Sequence, residues 1–291
     1  MYIEIDSGSG FCFGVIGAIS CAEKALADGG KPVRCLGDIV HNRIEVQRLE
    51  NMGLVTVSHE DIASLGDCRL LIRAHGEPPS TYKAAQAAGV EIIDATCLVV
   101  AALQRKVVKA HKAMSECNGQ VVILGKRGHA EVVGLTGQVT RPTTVIEGED
   151  DLSLIDFSRP IYFLSQTTQS VSLFERLRDI MASRLPSPQM LTVEQTICRR
   201  VSSRETALKE FARRFDMVVF VCGKKSSNGR VLFDVCREAN ASSRTVEEPS
   251  ELEREWFRGV RSVGICGATS TPLWLMKQVA DTIAAMTTGQ Q

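Results

Sequence analysis

The sequence has no excess of charge, no long apolar run and no secretory leader pattern, and each absence excludes a class of function. The 34 basic and 34 acidic residues cancel at pH 7, so no bulk attraction to nucleic acid or a membrane is expected. Apolar runs such as 217–222 are far too short to span a bilayer. Glu4 and Asp6 stand where a secretory signal needs bases and an apolar core. We therefore expect a cytoplasmic protein.

The ten cysteines include no CxxC pair, which removes the zinc-ribbon and thioredoxin-like interpretations. In a reducing compartment they are expected to be thiols or metal ligands rather than disulfides. The sequence also lacks a Walker-type glycine loop, so nucleotide binding has no support. At 291 residues, with 44% hydrophobic and 23% charged residues, the composition is typical of a globular enzyme with a sizeable core.

Three cysteines differ from the other seven because each follows a strand-like run and begins a helix-like one. They are Cys12, Cys97 and Cys198. Alternating apolar residues precede each of them, and apolar residues at helical spacing follow. The same order three times is a repeat, and strands that alternate with helices predict three similar α/β lobes with parallel sheets.

Polar residues recur at two further places in each repeat. The first place follows a strand and a glycine, 29, 32 and 28 residues after the cysteine. Its residues are His41, His129 and, in the third repeat, Ser226 with Ser227 and Asn228. The second place ends a later strand, and its residues are His75, Thr167 and Ser270. Ligands of parallel sheets bind beyond the carboxyl ends of the strands, so we expect all these positions to face one central cavity.

Counting strands predicts how the chain divides. Residues 13–96 form lobe 1, residues 97–193 form lobe 2 and residues 194–282 form lobe 3. Lobe 3 offers only three strands of its own, so the N-terminal strand within residues 1–12 is expected to complete it. Residues 283–291 then form a C-terminal tail.

Three thiolates from three lobes suit three corners of an iron–sulfur cubane and leave one iron without a protein ligand. Each thiolate would lie near a helix N-terminus, whose amides and dipole favour an anionic centre. A zinc site with three cysteines and a water fits the same spacing, and a zinc hydrolase with Glu131 as base is the rival function. Buried cysteines at equivalent turns are a third interpretation. A phosphate- or RNA-binding scaffold lacks the basic excess that such binding needs.

Histidines and hydroxyls at the repeated positions form a lining rich in hydrogen-bond donors, which suits a small and highly charged anion. Glu131 is the only carboxylate among these motifs, since Arg43 and Asn228 hold the matching places in the other lobes. A buried acid near a cluster and an anion tends to be protonated, which suits a proton donor. A salt-bridged glutamate at a lobe boundary is the alternative.

Short segments at these positions resemble one family, 4-hydroxy-3-methylbut-2-enyl diphosphate reductase, the last enzyme of the methylerythritol phosphate route to isoprenoids. The matching segments extend to Ser270 and include Gly10-Phe11-Cys12-Phe13-Gly14-Val15, Val40-His41-Asn42, Ala74-His75-Gly76, Asp94-Ala95-Thr96-Cys97, Gly128-His129-Ala130-Glu131-Val132, Gln166-Thr167-Thr168 and Ser226-Ser227-Asn228. The resemblance implies a pseudo-threefold trefoil of three lobes around a central [4Fe–4S] cluster.

By this resemblance the enzyme removes the hydroxyl of (E)-4-hydroxy-3-methylbut-2-enyl diphosphate with two electrons and protons, giving isopentenyl and dimethylallyl diphosphate. Cys12, Cys97 and Cys198 match the cluster ligands. Glu131 matches the proton source, with His129 and Thr167 as further catalytic residues. The residues that match substrate-binding positions are His41, His75, His129, Thr167, Thr168, Ser226, Ser227, Asn228 and Ser270. The electron donor would be a ferredoxin or a flavodoxin.

Four residues depart from the family pattern. Leu98 stands where many members have a proline, and Ala102 stands where they have a lysine. Lys126-Arg127 occupy the place of a histidine found in some members. Proline at a first helical position mainly fixes φ, so we expect Leu98 to change little. Lys126-Arg127 are expected to alter the rim of the site or the docking of the electron donor.

Overall fold

Strands and helices alternate along nearly the whole chain. This computed structural model describes residues 1–287. The strands are β1 (Tyr2–Ile5), β2 (Val33–Leu36), β3 (Val55–Val57), β4 (Arg69–Ile72), β5 (Glu91–Asp94), β6 (Gln120–Leu124), β7 (Thr144–Ile146), β8 (Ile161–Ser165), β9 (Leu191–Val193), β10 (Met217–Val221), β11 (Ser243–Val246) and β12 (Ser262–Gly267). The helices are α1 (Phe13–Ala27), α2 (Arg43–Asn51), α3 (Pro79–Ala87), α4 (Leu98–Glu116), α5 (Ala130–Thr136), α6 (Val171–Arg184), α7 (Arg199–Ala212), α8 (Ser227–Ala239) and α9 (Leu273–Thr287).

The strands form three sheets of four strands each. Their orders are β3-β2-β4-β5, β7-β6-β8-β9 and β1-β12-β10-β11. All the paired strands in the three sheets run parallel. The predicted fold class, three similar α/β lobes with parallel sheets, is therefore confirmed.

The strand at the N-terminus belongs to the third sheet. Tyr2 of β1 pairs with Ser262 of β12, and Ile5 pairs with Ile265. At the other end of the sequence, α9 continues to Thr287, past residue 282 where the predicted lobe 3 ends. Residues 288–291 of the predicted tail lie outside the described residues. The residue limits of the lobes stay predictions.

Two compact units share these elements. Within the described residues, one unit consists of residues 1–16, 40–52 and 199–287, and it holds the sheet β1-β12-β10-β11. The other consists of residues 17–39 and 53–198, and it holds the other two sheets. The strands thus form three sheets, one for each repeat, whereas the chain divides into only two compact units.

Apolar cores lie on the faces of the sheets. All five residues of β10 are buried: Phe220 packs with Phe211 on one face, and Val219 packs with Met276 on the other. In the second unit, Leu103 and other residues of α4 pack against β6 and β8. Parallel strands covered on both faces are apolar along their whole length, which explains why these strands were recognisable in the sequence.

Among residues 1–287, no helix combines the length and the apolarity that crossing a bilayer requires.

Candidate active site

The first polar position of each repeat stands five residues after the end of a strand and begins a helix. His41 follows the end of β2, His129 follows β6 and Ser226 follows β10. His129 and Ser226 are the N-caps of α5 and α8, and their side chains accept main-chain N–H groups of the first helical turn. Asn42, the neighbour of His41, caps α2 in the same way. The repeat therefore places polar side chains at the starts of three helices.

The second polar position stands three residues after a strand ends. His75 follows β4 and Ser270 follows β12 at this distance. In the remaining lobe the equivalent residue is Thr168, because β8 ends at Ser165. The prediction that placed Thr167 at this position of the repeat was therefore one residue early, and Thr167 has a different role.

Each of the three cysteines directly precedes a helix: Cys12 precedes α1, Cys97 precedes α4 and Cys198 precedes α7. Their main-chain N–H groups all donate to a carbonyl near the second polar position. The acceptor is Thr269 for Cys12, Ala74 for Cys97 and Thr167 for Cys198, at 3.1, 3.1 and 2.9 Å. All three side chains are half-buried, whereas five of the other seven cysteines are buried. The repeat thus holds three partly accessible thiols by one backbone pattern.

This donor set fits an iron–sulfur group. Thiolates are the protein ligands of such clusters, and each of these thiols stands where the unpaired amides of a first helical turn favour negative charge. Sulfur ligands also suit zinc, so the donor chemistry by itself admits both metals.

Glu131 is a buried acid held by one threonine. Its carboxyl oxygens accept the N–H of Thr167 at 2.7 Å and face the Thr167 hydroxyl at 2.8 Å. Burial raises the pKa of Glu131 to about 7, and the two hydrogen bonds from Thr167 oppose the rise. No salt bridge to Glu131 occurs among residues 1–287, which removes the salt-bridged alternative. Since the Thr167 carbonyl accepts from Cys198, a single residue connects the acid to a candidate metal ligand.

This raised pKa has a consequence for stability. A pKa that rises from 4.5 to about 7 on folding means that the folded state binds the proton more tightly. The contribution of Glu131 to the free energy of unfolding, about 3 kcal/mol, is therefore fully present below pH 4.5 and is lost as pH rises through about 7. Glutamine keeps both contacts with Thr167 but does not ionise. We expect Glu131→Gln to unfold at a temperature roughly 5 °C higher than the wild type at pH 8, with the difference vanishing toward pH 4.5.

Scanning calorimetry of the two anaerobic holoproteins at several pH values measures this difference. A difference that does not change with pH would show that Glu131 has an ordinary pKa.

A glutamine that the sequence reasoning did not select orients His129. Gln166 is fully buried, and its Oε1 accepts the N–H of Lys126 at 3.1 Å. Its Nε2 therefore faces Nδ1 of His129 as a donor, at 3.2 Å, and Nδ1 also accepts the N–H of Glu131. An Nδ1 that accepts twice leaves the ring proton on Nε2. The His75 ring meets the His129 ring edge to face, with centroids 5.4 Å apart.

The first unit gathers the polar residues of the third repeat. Ser226 Oγ and Ser270 Oγ lie 3.1 Å apart, and Oδ1 of Asn228 accepts from the N–H and the hydroxyl of Thr269 at 3.0 and 2.8 Å. Ser226, Asn228 and Ser270 are buried, and Ser227 is half-buried at the start of α8. Within residues 1–287, the hydrogen-bond partners of the Ser226, Asn228 and Ser270 side chains include no acid.

Gly223 brings His41 to the same place. A Cβ atom at Gly223 would lie 2.1 Å from the carbonyl oxygen of His41 and 3.1 Å from Cα of Asn42. Only glycine allows so close an approach of two main chains. Residues 41–42 therefore lie directly against the turn that leads to Ser226.

The structure thus places the predicted residues in two groups. The second unit brings together His75 with His129 and Glu131 with Thr167, and it connects Thr167 to Cys198. The first unit brings together Ser226, Asn228 and Ser270, with Cys12 bonded to Thr269 and His41 against Gly223. Gln166 and Asn42 were present in the motifs, but nothing in the spacing distinguished them, because their importance lies in contacts with residues far away in sequence.

The model of the LytB protein family matches residues 3–284. The chain belongs to the LytB family.

Relatives of this LytB-family chain include the 4-hydroxy-3-methylbut-2-enyl diphosphate reductases of Parabacteroides distasonis and Bacteroides fragilis. The first is 49% identical over 278 residues and the second 46% over 283 residues, and the matches cover 96% and 97% of each chain. The resemblance drawn from the sequence is therefore confirmed.

Two solved structures are similar to this LytB-family chain. One, an (E)-4-hydroxy-3-methyl-but-2-enyl diphosphate reductase described as the terminal enzyme of the non-mevalonate pathway, has a TM-score of 0.71 and 32% identity, covering 98% of this chain and 100% of its own. The other, E-1-hydroxy-2-methyl-but-2-enyl-4-diphosphate reductase from Plasmodium falciparum, has a TM-score of 0.85 and covers 96% and 87%. At 24% identity the second shows the shared fold alone.

The departures from the LytB pattern lie at the surface or in ion pairs. Leu98 is the first residue of α4 and is 79% exposed, a position that proline would occupy without any change of backbone. Ala102 is half-buried on the same helix. Lys126 is exposed, and Arg127 donates to Asp151 at 2.9 Å and pairs with Glu147 at 3.2 Å. The charge of Arg127 is thus already met by two acids of its own unit.

Proposed function

We propose that this chain reduces (E)-4-hydroxy-3-methylbut-2-enyl diphosphate to isopentenyl and dimethylallyl diphosphate. The reaction consumes two electrons and two protons and releases the hydroxyl as water. The observation that carries the proposal is the buried carboxyl of Glu131, held by Thr167, whose carbonyl in turn holds Cys198. A proton source connected to a metal ligand is what a reductive loss of hydroxyl requires. The names of the relatives, at up to 49% identity over nearly the full length, support it.

Cys12, Cys97 and Cys198 would hold a [4Fe–4S] cluster by three of its irons, in the pseudo-threefold trefoil that the sequence predicts. When bound, the cluster supplies electrons and an open iron able to accept an oxygen ligand. The equal backbone setting of the three cysteines supports this ligand set, because each thiolate would gain the same favourable field from the first turn of its helix. Two other cysteines, Cys21 and Cys117, are also not fully buried, but they do not occupy equivalent positions of the repeat.

Glu131 would deliver a proton. With a pKa of about 7, its carboxyl is substantially protonated at neutral pH, which is the state that a general acid needs. In the structure the Thr167 hydroxyl donates to the carboxyl at 2.8 Å. Once protonated, the carboxyl would instead donate to Thr167 Oγ1 and free the hydroxyl hydrogen of Thr167. Thr167 would therefore pass a proton on as well as hold the acid in position.

The remaining polar residues would bind the diphosphate. His41, His75, His129, Thr168, Ser226, Ser227, Asn228 and Ser270 offer ring N–H, hydroxyl and amide donors. Hydrogen bonds from such donors to phosphate oxygens are strengthened by the charge of the anion. His129 presents its ring proton on Nε2, because Gln166 and the main chain of Glu131 occupy Nδ1.

The electrons would come from a ferredoxin or a flavodoxin, small proteins of the compartment in which we expect the enzyme to work, the cytoplasm. Glu131 and Thr167 are buried, at 2% and 6% exposure, so a proton held between them would be shielded from bulk water.

The test is anaerobic purification followed by three measurements on the same sample. We expect a brown protein with about four irons and four acid-labile sulfides per chain. We also expect turnover of the allylic diphosphate to the two isomers when a reduced ferredoxin or a viologen dye supplies electrons. A colourless zinc-containing protein that hydrolyses phosphate esters would establish the rival function. A brown protein without reductase activity would overturn the substrate.

A further inference from the structure

The side-chain amide of Asn42 has a hydrogen-bond partner for its oxygen but none for its NH₂ group. The residue is 1% exposed. Its Oδ1 accepts the N–H of Glu45 at 3.1 Å and so caps α2. Its Nδ2, which carries two N–H donors, is buried and has no hydrogen-bond partner. The bond from Glu45 fixes which end of the amide is oxygen, so exchanging the two ends cannot satisfy the donors.

Buried donors without acceptors are rare because each loses its hydrogen bonds to water without replacement. One other asparagine of the same unit shows the same division. Oδ1 of Asn228 accepts from Thr269, whereas Nδ2 is buried without a partner. In both residues a main-chain N–H holds the oxygen and leaves the NH₂ group for something else.

The two asparagines belong to segments that lie against the same turn. Cα of Asn42 would be 3.1 Å from a Cβ at Gly223, and Gly223 begins the turn that ends at Ser226. Ser226 contacts Ser270, and Asn228 is the second residue of α8. The nearest acid of the α2 first turn, Glu45, has its carboxyl occupied by Arg48 and by Trp274 Nε1, so it does not accept from the NH₂ group of Asn42.

We propose that the NH₂ group of Asn42 donates to a phosphate oxygen of the substrate and is a further residue of the diphosphate site, beside Asn228. The inference rests on the proposed function for the identity of the substrate. The NH₂ group needs only a negatively charged oxygen as its partner, and the oxygens of a diphosphate are hydrogen-bond acceptors. A neutral amide meets such an anion without the cost of burying a second charge.

The cap and the donor can be separated by substitution. Serine and aspartate both cap helices as well as asparagine does, but neither offers an NH₂ group. Asn42→Ser therefore keeps the cap and removes the NH₂ group, and Asn42→Asp removes the NH₂ group and adds a negative charge. Asn51→Asp makes the same charge change on an exposed residue at the far end of α2, and it serves as the matched control.

The experiment is titration of inorganic diphosphate into each anaerobic holoprotein, with KM and kcat for the allylic diphosphate measured alongside. We expect Asn42→Ser to raise Kd and KM about tenfold, the usual effect of losing a hydrogen bond to a charged group. Asn42→Asp should raise them further because of repulsion, whereas Asn51→Asp leaves them unchanged. The unfolding temperatures of the serine variant and the wild type should agree, because the cap is kept.

Wild-type Kd and KM in both Asn42 variants would overturn the inference, as would a lowered unfolding temperature with unchanged binding, which would make Asn42 a structural residue. Failure of the proposed function looks different, because then the wild type itself does not reduce the substrate. In that case weaker diphosphate binding by Asn42→Asp would still establish an anion site at this turn.

Discussion

Serine at Cys12, Cys97 or Cys198 is expected to abolish the brown chromophore and the reductase activity together. Serine is nearly the same size as cysteine, but its hydroxyl is not deprotonated near neutral pH and is a poor ligand for iron that prefers thiolate sulfur. Each of the three thiols is half-buried and directly precedes a helix, so the substitution changes ligand chemistry and leaves the fold intact. Iron and sulfide counts and the visible absorption spectrum of anaerobic samples measure the loss.

Two matched variants separate ligation from any general sensitivity to cysteine loss. Cys117 is exposed and Cys21 is half-buried, so Cys117→Ser and Cys21→Ser cost little packing and should keep both the colour and the rate. A folded Cys117→Ser protein without a cluster, together with a Cys97→Ser protein that retains one, would show that the proposed ligand set is wrong.

Glu131→Gln is expected to lower turnover by roughly a hundredfold or more, the usual scale for loss of a general acid, while substrate binding stays nearly normal. Glutamine keeps the contacts with Thr167 and the shape of a site that is 2% exposed, but it has no proton to give. The pH profile provides a second measurement. Because the acid must be protonated and its pKa is about 7, the wild-type rate should fall as pH rises through 7, and the residual rate of the variant should lack this fall.

Steady-state kinetics and substrate titration on the same preparations decide the role. His41→Ala and Asn228→Ala serve for comparison, since loss of a phosphate donor should weaken binding. A Glu131→Gln enzyme with near-normal kcat would remove Glu131 from proton delivery, and one with raised Kd but unchanged kcat would make it a binding residue.

Much of the fold could be read from the sequence because its signals are local. The apolar runs 217–222 and 70–72 marked the strands β10 and β4, which are buried on both faces. Cysteines at the starts of helical patterns indicated the equivalent turns, and counting strands indicated that the N-terminal strand within residues 1–12 would join the third sheet. A threefold repetition strengthens weak local signals, since each element is observed three times.

What sequence reasoning could not supply depends on exact boundaries and on distant partners. The sequence aligned Thr167 with His75 and Ser270, whereas counting three residues from the end of β8 at Ser165 gives Thr168 as the equivalent residue. Gln166 and Asn42 can be recognised only from their surroundings. Gln166 contacts a histidine 37 residues away, and the NH₂ group of Asn42 is a buried donor without an acceptor. No periodicity reports such contacts.

The pairing of Tyr2–Ile5 with Ser262–Gly267 has a consequence for the order of folding. Closing a loop of nearly the whole sequence costs far more chain entropy than a local hairpin, and contacts of such high sequence separation form slowly. During synthesis the first strand must wait for its partner until residue 267 has left the ribosome. The N–H of Cys12, which binds the carbonyl of Thr269, is fixed only after that. This thiol therefore reaches its position only after residue 269 has emerged, and a chain cut short before that residue cannot hold Cys12 in this way.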